Sequence, residues 1–484
     1  MPEPTHQKVF LRGTALAWAR MGVVAAAQLV ATPIFLQQWS VERYGSWLLV
    51  QAIVGVLTLL AYSHQQYVGF ELMRAGRERT HLYAAYVGSG LYVADRITLV
   101  QAALAVVIAG VMAPMNEVGM VVVLHVALTF YWANRASIWE RVLVANGDYD
   151  RVAAWGVAFA LVNAAVPLGV LAFSSSFLVV GGVTALVLAL VNYFYERSLR
   201  KLGLRHLPRA LRVRRATAWR NFRRAQGLTL KTILENVRHH GVRLLLAPMV
   251  GTAALATFAT FRTGANIAAQ GVSGVTAPLT PRLMAAARAR EQGELVRLTG
   301  YFWLFAAAVI GPLMLLLQQC GEPLFTLWTR GKIPFDPLLL GLLSAAVLVN
   351  VLSQPAVMLV QGNNLLATQV GGTLAAGLAM VLGFLVLVPL YGIRGGAAGL
   401  LIAEIVALGW HGVVAQNWLN SVRLSWPMRP FLWASLAVGG VCLGLVVLPL
   451  VSMGGTMLWV LLAGVGLGSW RLFRACKRNG EIPL

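Results

Sequence analysis

Runs of eighteen or more predominantly apolar residues recur from one end of this chain to the other. That feature restricts the fold more than any motif does. About 20 helical residues, rising 1.5 Å each, cross a ~30 Å hydrocarbon layer. Lipid offers the backbone no hydrogen bonds, so a spanning segment must be a helix or part of a closed barrel. A barrel would show ~10-residue alternating segments, and these runs are continuous instead. Composition agrees: 58% of the 484 residues are hydrophobic and 12% are charged, about half the charge a soluble surface of this size carries. The expectation is an all-α polytopic membrane protein. Net charge is +22, but the positive residues sit between apolar runs, and no soluble domain is left to hold a nucleic acid. Cys320, Cys442 and Cys476 are scattered, with neither metal-ligand spacing nor a disulfide framework. The amino end leads directly into a full-length span, so no cleavable signal peptide is expected.

About fourteen spans are expected, at 12–37, 45–62, 97–114, 118–134, 152–173, 177–195, 229–250, 252–280, 299–319, 337–360, 365–390, 395–416, 431–450 and 455–470. The basic residues set their orientation. With the amino end inside, the inner turns hold Arg74, Arg77, Arg79 and Arg96, then Arg135, Arg141 and Arg151, and later Arg282, Arg288, Arg290 and Arg297. The outer side receives only Arg43, Arg330, Lys332 and Arg394. Both termini are therefore expected in the cytoplasm. The expected organisation is an amino-terminal lobe of six spans (1–195), a basic cytoplasmic loop (196–228), a second lobe of six spans (229–418), and two further spans with a basic tail (431–484). The loop reads either as a topology anchor on anionic headgroups or as a docking surface for a glycosyltransferase or a lipid substrate. The two halves are weakly alike: LVANGDYDRV leads into span five and LVQGNNLLATQV into span eleven, each followed by a helix rich in the small residues that allow close packing in a bilayer.

Charges inside two consecutive spans point to function. In TLKTILENVRHHGVRLLLAPMVG, Glu235, Arg238, His239 and Arg243 fall near one helical stripe, with His240 beside it. The next span is apolar or small except for Arg262, roughly 15 Å deep at 1.5 Å per residue. An arginine there costs about 2.5–3.5 kcal/mol on the insertion scale. Such a residue faces water or a partner, so the stretch reads as one wall of a cationic cavity in a transporter of something anionic.

Three stretches resemble the polysaccharide flippases of the MOP superfamily, the Wzx-like relatives of multidrug MATE exporters and lipid II flippases. VERYGSWLLVQAI resembles that family's turn into its second helix. VGTAALATFATFRTGANIAAQGVSGVTAPLTPRL resembles its eighth helix, ending at Pro281. VPLYGIRGGAAGLLIAEI resembles its turn between spans eleven and twelve, where Gly392, Gly395 and Gly396 suit a tight outer turn. The resemblance implies a V-shaped bundle of two six-helix lobes that alternates between inward- and outward-open forms. It implies carriage of an undecaprenyl-diphosphate-linked oligosaccharide to the outer leaflet of the bacterial inner membrane, for O-antigen or exopolysaccharide synthesis, beside the pathway's glycosyltransferases and polymerase. Arg262, nineteen residues before Pro281, is similar to the cavity arginine of the lipid II flippases' eighth helix, and Arg20 to that of their first. The family's second helix often ends in an acid before a glycine; LAYSHQQYVGFEL departs from that pattern.

Arginine suits a diphosphate because its planar fork binds oxygens bidentately and stays protonated. Facing lipid, Arg20, Arg238, Arg243 and Arg262 together would burden insertion by about 10–14 kcal/mol; a shared aqueous cavity avoids this. Arg20 and Arg243 also read as side chains snorkelling to headgroups, Glu235 as the neutraliser of Arg238 or His239, and His239 and His240 as polar lining. Glu404 reads either as a proton or sodium site or as a buried carboxylate bonded to a neighbouring helix. No cofactor is expected beyond such an ion. A multidrug exporter of the same fold would want acids in its cavity to attract cations. A glycan polymerase, ligase or glycosyltransferase would want a large outer loop or an acid in the first outer turn. Here that turn holds only Glu42 beside Arg43, and no nucleophile–base set, phosphate loop or metal cluster is visible, so no enzyme is expected.

Overall fold

A computed structural model describes residues 4–75, 80–112, 116–207, 211, 213–236, 242–363 and 365–449, with 464, 466 and 471 beyond them. Its elements are helical throughout. Two compact units divide at Leu244 and Leu245. The amino-terminal unit holds α1 (Pro4–Gln38), α2 (Val41–Ala75), α3 (Thr80–Val111), α4 (Asn116–Ala145), α5 (Tyr149–Phe173), α6 (Phe177–Gly203) and α7 (Arg215–Asn236). The carboxyl-terminal unit holds most of α8 (Val242–Ala289), then α9 (Gln292–Phe305), α10 (Gly311–Thr329), α11 (Pro337–Gly362), α12 (Leu366–Ser421) and α13 (Met428–Val447).

Among the described residues, eleven helical segments are long and apolar enough to cross a membrane, and one of them, Ala367–Ser421, folds back on itself. The reversal is at Gly392, with φ 56° and ψ −138°, inside the VPLYGIRGG stretch. That conformation is open to glycine and strained for residues with a Cβ. The legs on either side then pack backbone to backbone: a Cβ on Gly383 would stand 2.8 Å from the Gly399 Cα. The expected boundary between spans seven and eight also falls on a glycine, since Gly251 (φ 84°, ψ 168°) interrupts α8. The fourteenth expected span, 455–470, lies outside the described residues apart from 464 and 466.

The expected span at 97–114 is corrected. The helix starts at Thr80, and α4 runs on to Ala145, so Arg96, Arg135 and Arg141 are helical residues and not turn residues. The charges are compensated across helices. Arg135 Nη1 donates to both carboxylate oxygens of Asp95 (2.9 and 3.0 Å), and Glu196 on α6 lies 3.9 Å from both Arg135 Nε and Arg200 Nε. At 1.5 Å per residue, α2 with its 35 residues is ~52 Å long, well beyond a ~30 Å hydrocarbon layer. Helices of this length extend past a lipid core, and paired charges are tolerated beyond it.

In the amino-terminal unit α4 packs against α2, α3 and α6, and α1 lies along α5. Its core joins Val68 and Leu72 of α2, Val87 of α3, Ile138, Trp139 and Val142 of α4, and Leu199 of α6, all buried. At the other end of α1, the VERYGSW stretch closes the turn: Phe35, Trp39, Trp47 and Phe177 pack ring on ring, and Trp39 Nε1 donates to the Ser175 carbonyl at 2.7 Å. Residues 215–236, where the sequence reading has a loop to 228 and a span from 229, form α7, which packs on α2 and α3. Its buried stripe is Ala218, Asn221 and Ala225, while Arg215, Trp219, Arg220, Arg223 and Arg224 are exposed. The i, i+3, i+7 spacing is that of an amphipathic helix, which a search for uniformly apolar runs passes over. In the carboxyl-terminal unit α11 packs against α12 and α13. Asp336 caps α11 by accepting from the Leu339 amide (3.0 Å), and its other oxygen accepts from Arg394 Nε (2.8 Å), just past the Gly392 turn.

Candidate functional site

Within the amino-terminal unit, α1, α2, α4, α5 and α6 enclose a cavity of about 420 Å³. The residues lining it include Arg20 from α1, Thr58 from α2, His125, Thr129 and Asn134 from α4, Asn163 from α5 and Asn192 from α6. Val24, Val54, Phe130, Phe159 and Leu188 supply apolar wall between them. An apolar lining with a few convergent polar groups is the usual make-up of a ligand site. No carboxylate is among the described lining residues.

Arg20 reaches the cavity because α5 gives it room. A Cβ on Gly156 would stand 3.3 Å from Arg20 Nη1. The same guanidinium acts electrostatically on Glu140, as does Arg141, and Glu140 is hydrogen-bonded to Tyr195. Arg20 is thus steadied from outside the cavity by one carboxylate, which it shares with a second arginine. Sequence reasoning did not single out Glu140 or Arg141.

Beside the cavity runs a buried polar ladder. Gln65 donates to the Asn134 Oδ1 (3.3 Å); Asn134 Nδ2 donates to Thr98 Oγ1 and Gln101 Oε1 (both 2.8 Å); Gln101 donates to the Leu57 carbonyl (2.7 Å). Gln65 belongs to LAYSHQQYVGFEL, the stretch that departs from the family's acidic pattern. A neutral, self-satisfied amide chain stands there. The acid further along, Glu71, accepts from Tyr67 at 2.9 Å.

The predicted arginines occupy different settings. Arg20 lines the cavity. Arg243, at the start of α8, is partly buried within electrostatic reach of Tyr44, whose hydroxyl is 3.3 Å from Thr32 Oγ1. Arg262 is partly buried on α8 in the carboxyl-terminal unit, next to the buried Phe261, eleven residues past Gly251. Arg238, His239 and His240 lie outside the described residues, and so does the side chain of Glu235 on α7. Glu404 on α12 is buried and accepts from Asn350 Nδ2 of α11 at 3.0 Å. Asn350 Oδ1 in turn accepts from Gln354 (3.0 Å). His125, Asn163 and Asn192 were not singled out in the sequence. The signal that points to them is a polar residue within an otherwise apolar run.

No family model matches the sequence, and no curated protein matches it. Solved structures do. The lipid II flippase MurJ in an inward closed conformation superposes with a TM-score of 0.65 at 12% identity, over 96% of this chain and 98% of that one. An inward-facing multidrug resistance MATE transporter of the MOP superfamily gives 0.63 at 14% identity, over 84% and 99%. The Vibrio cholerae MATE transporter VcmN in its bent form gives 0.56 at 15% identity, over 87% and 99%. The chain is all-helical among its described residues and has the fold shared by these MATE transporters and the lipid II flippase.

Proposed function

We propose that this protein is a Wzx-like member of the MOP superfamily that moves an undecaprenyl-diphosphate-linked oligosaccharide from the cytoplasmic to the outer leaflet of a bacterial inner membrane, with both termini in the cytoplasm. The observation that carries the proposal is Arg20: a permanent cation lining a polar cavity that has no carboxylate among its described lining residues. A diphosphate brings about two negative charges, and an arginine fork binds its oxygens bidentately while repelling a cationic drug. Likeness over nearly the full length of a lipid II flippase, a carrier of a lipid-linked glycan by its name, supports the same substrate class. Arg262 and Arg243, with Arg238, His239 and His240, are proposed to complete the cationic path as the protein alternates between its inward- and outward-open forms. Glu404 and Glu235 are proposed as the places where a proton or sodium ion is coupled. Glycosyltransferases and a polymerase of the same pathway are the proposed neighbours, and the chain itself performs no bond chemistry.

The test is reconstitution into proteoliposomes with a fluorescent undecaprenyl-diphosphate glycan whose leaflet is read by quencher access. Wild-type protein is expected to equilibrate the probe, and Arg20→Gln to slow it by at least about ten-fold. Uptake of ethidium with no movement of the lipid-linked glycan overturns the proposal in favour of a cation exporter.

A further inference from the structure

We infer that the cavity of the amino-terminal unit binds the uncharged saccharide part of the substrate through a row of oxygen acceptors, with Arg20 as the permanently charged donor among its described lining residues. This rests on the reading of the protein as a carrier of a lipid-linked glycan and adds which part of that molecule the cavity holds.

Hydrogen-bond accounting leads there. Thr58 spends its hydroxyl proton on the Val54 carbonyl (2.9 Å), and Thr129 spends its own on the His125 carbonyl (2.6 Å). Asn192 donates one amide N–H to the Leu188 carbonyl (2.8 Å). Each oxygen left over faces the cavity as an acceptor. Asn163 makes no hydrogen bond within the described residues and brings a second free amide, exposed on α5. A ligand that satisfies Thr58, Thr129 and Asn192 must therefore supply donors. A phosphate at neutral pH supplies almost none: it can accept from Arg20, Asn163, His125 and the second N–H of Asn192, but it leaves the three oxygens unpaired. Sugar hydroxyls and acetamido N–H groups supply many, and each hydroxyl also accepts, which matches the N–H groups of Asn163. Phe130 and Phe159 give the apolar faces of a pyranose ring something to lie against. A cationic amine also donates, but Arg20 shares the cavity and no described carboxylate lines it to offset a second charge. Asn134 is excluded from this role because the Gln65–Gln101 ladder uses both ends of its amide.

The experiment compares three probes on the full chain in nanodiscs by equilibrium binding: polyprenyl diphosphate without sugar, the same lipid carrying a neutral acetamido disaccharide, and ethidium. The sugar-bearing lipid is expected to bind at least about ten-fold tighter than the bare diphosphate, as two added hydrogen bonds of ordinary strength provide. Thr58→Val with Thr129→Val is expected to remove most of that advantage while leaving the affinity for the bare diphosphate unchanged, which also reports that the variant is folded; Asn163→Leu, which also takes N–H groups from a phosphate, is expected to weaken both lipids and to narrow the advantage. Arg20→Gln is expected to weaken both lipids. Equal affinity of wild-type protein for the two lipids, or an advantage that survives both sets of substitutions, overturns this inference and leaves the proposed function standing. Binding of ethidium with neither lipid diphosphate overturns both.

Discussion

Arg135→Ala tests the compensated charges of the amino-terminal unit, and its cost can be worked from the geometry. Arg135 faces two carboxylates of unequal exposure: the Asp95 side chain is 39% exposed, that of Glu196 only 2%. Losing a pair that water can replace costs about 0–1 kcal/mol, so the Asp95 bonds contribute little despite their short length. Glu196 decides the outcome. Its Oε1 has no hydrogen bond, and once Arg135 is gone its remaining cation is Arg200, itself half exposed. Stripping the partner from a buried ion costs about 3–5 kcal/mol. The sum is therefore expected near 4 kcal/mol, with most of it reporting Glu196. Glu196→Gln in the Arg135→Ala background should recover part of the loss by removing the stranded charge. Arg135→Met with Glu196→Leu should return to within about 1 kcal/mol of wild type, since apolar side chains of similar volume replace a buried pair at little cost. The assay is reversible unfolding in mixed micelles titrated with sodium dodecyl sulfate, run as a double-mutant cycle. A loss below about 1 kcal/mol for Arg135→Ala, or a double variant no more stable than the single one, refutes the claim that a desolvated carboxylate depends on this arginine.

Three further outcomes are expected. Arg262→Ala should abolish glycan export while the protein remains inserted and folded by size-exclusion profile, and Arg262→Lys should restore part of it, because charge survives but the bidentate fork does not; wild-type export in the alanine variant refutes a substrate role for Arg262. Gly392→Val should lower stability in the same micelle titration by about 1–3 kcal/mol, the cost of placing a side chain at a positive φ, whereas no change would mean that the turn relaxes freely. Glu404→Gln retains an acceptor for Asn350 but cannot take up a proton, so stability should hold while transport loses its dependence on the proton gradient; gradient-dependent transport in that variant limits Glu404 to its bond with α11.

The folded elements were legible wherever hydrophobicity alone places a helix. Gly251 and Gly392 could be located as boundaries because each is a glycine that interrupts a long apolar run. The charged ends of α2, α3 and α4 were not legible in the same way. Arg96, Arg135 and Arg141 look like turn residues to any hydropathy window, and what accommodates Arg135 within its helix is Asp95, 40 residues away in sequence, together with Glu196 on a third helix. Long-range pairing has no local signature. The same holds for α7, whose stripe of Ala218, Asn221 and Ala225 is too weakly apolar to announce a buried face until α2 and α3 are there to receive it.

At the candidate site the sequence is legible in inverse proportion to how well a residue suits a membrane. An arginine in mid-span costs about 2.5–3.5 kcal/mol, so Arg20 and Arg262 are conspicuous. An asparagine or threonine can spend a proton on the carbonyl one turn back and remain in a helix at low cost. Thr58, Thr129 and Asn192 all do so. That bond hides them among apolar neighbours and at the same time leaves the two threonine hydroxyls as acceptors only, beside the amide oxygen of Asn192. The residue that attracts attention by its charge and the residues proposed to discriminate between ligands are therefore different residues. In the proposed function, charge would select a phosphorylated molecule from a membrane full of lipids, and neutral acceptors, pre-set by their own helices, would judge what is attached to it.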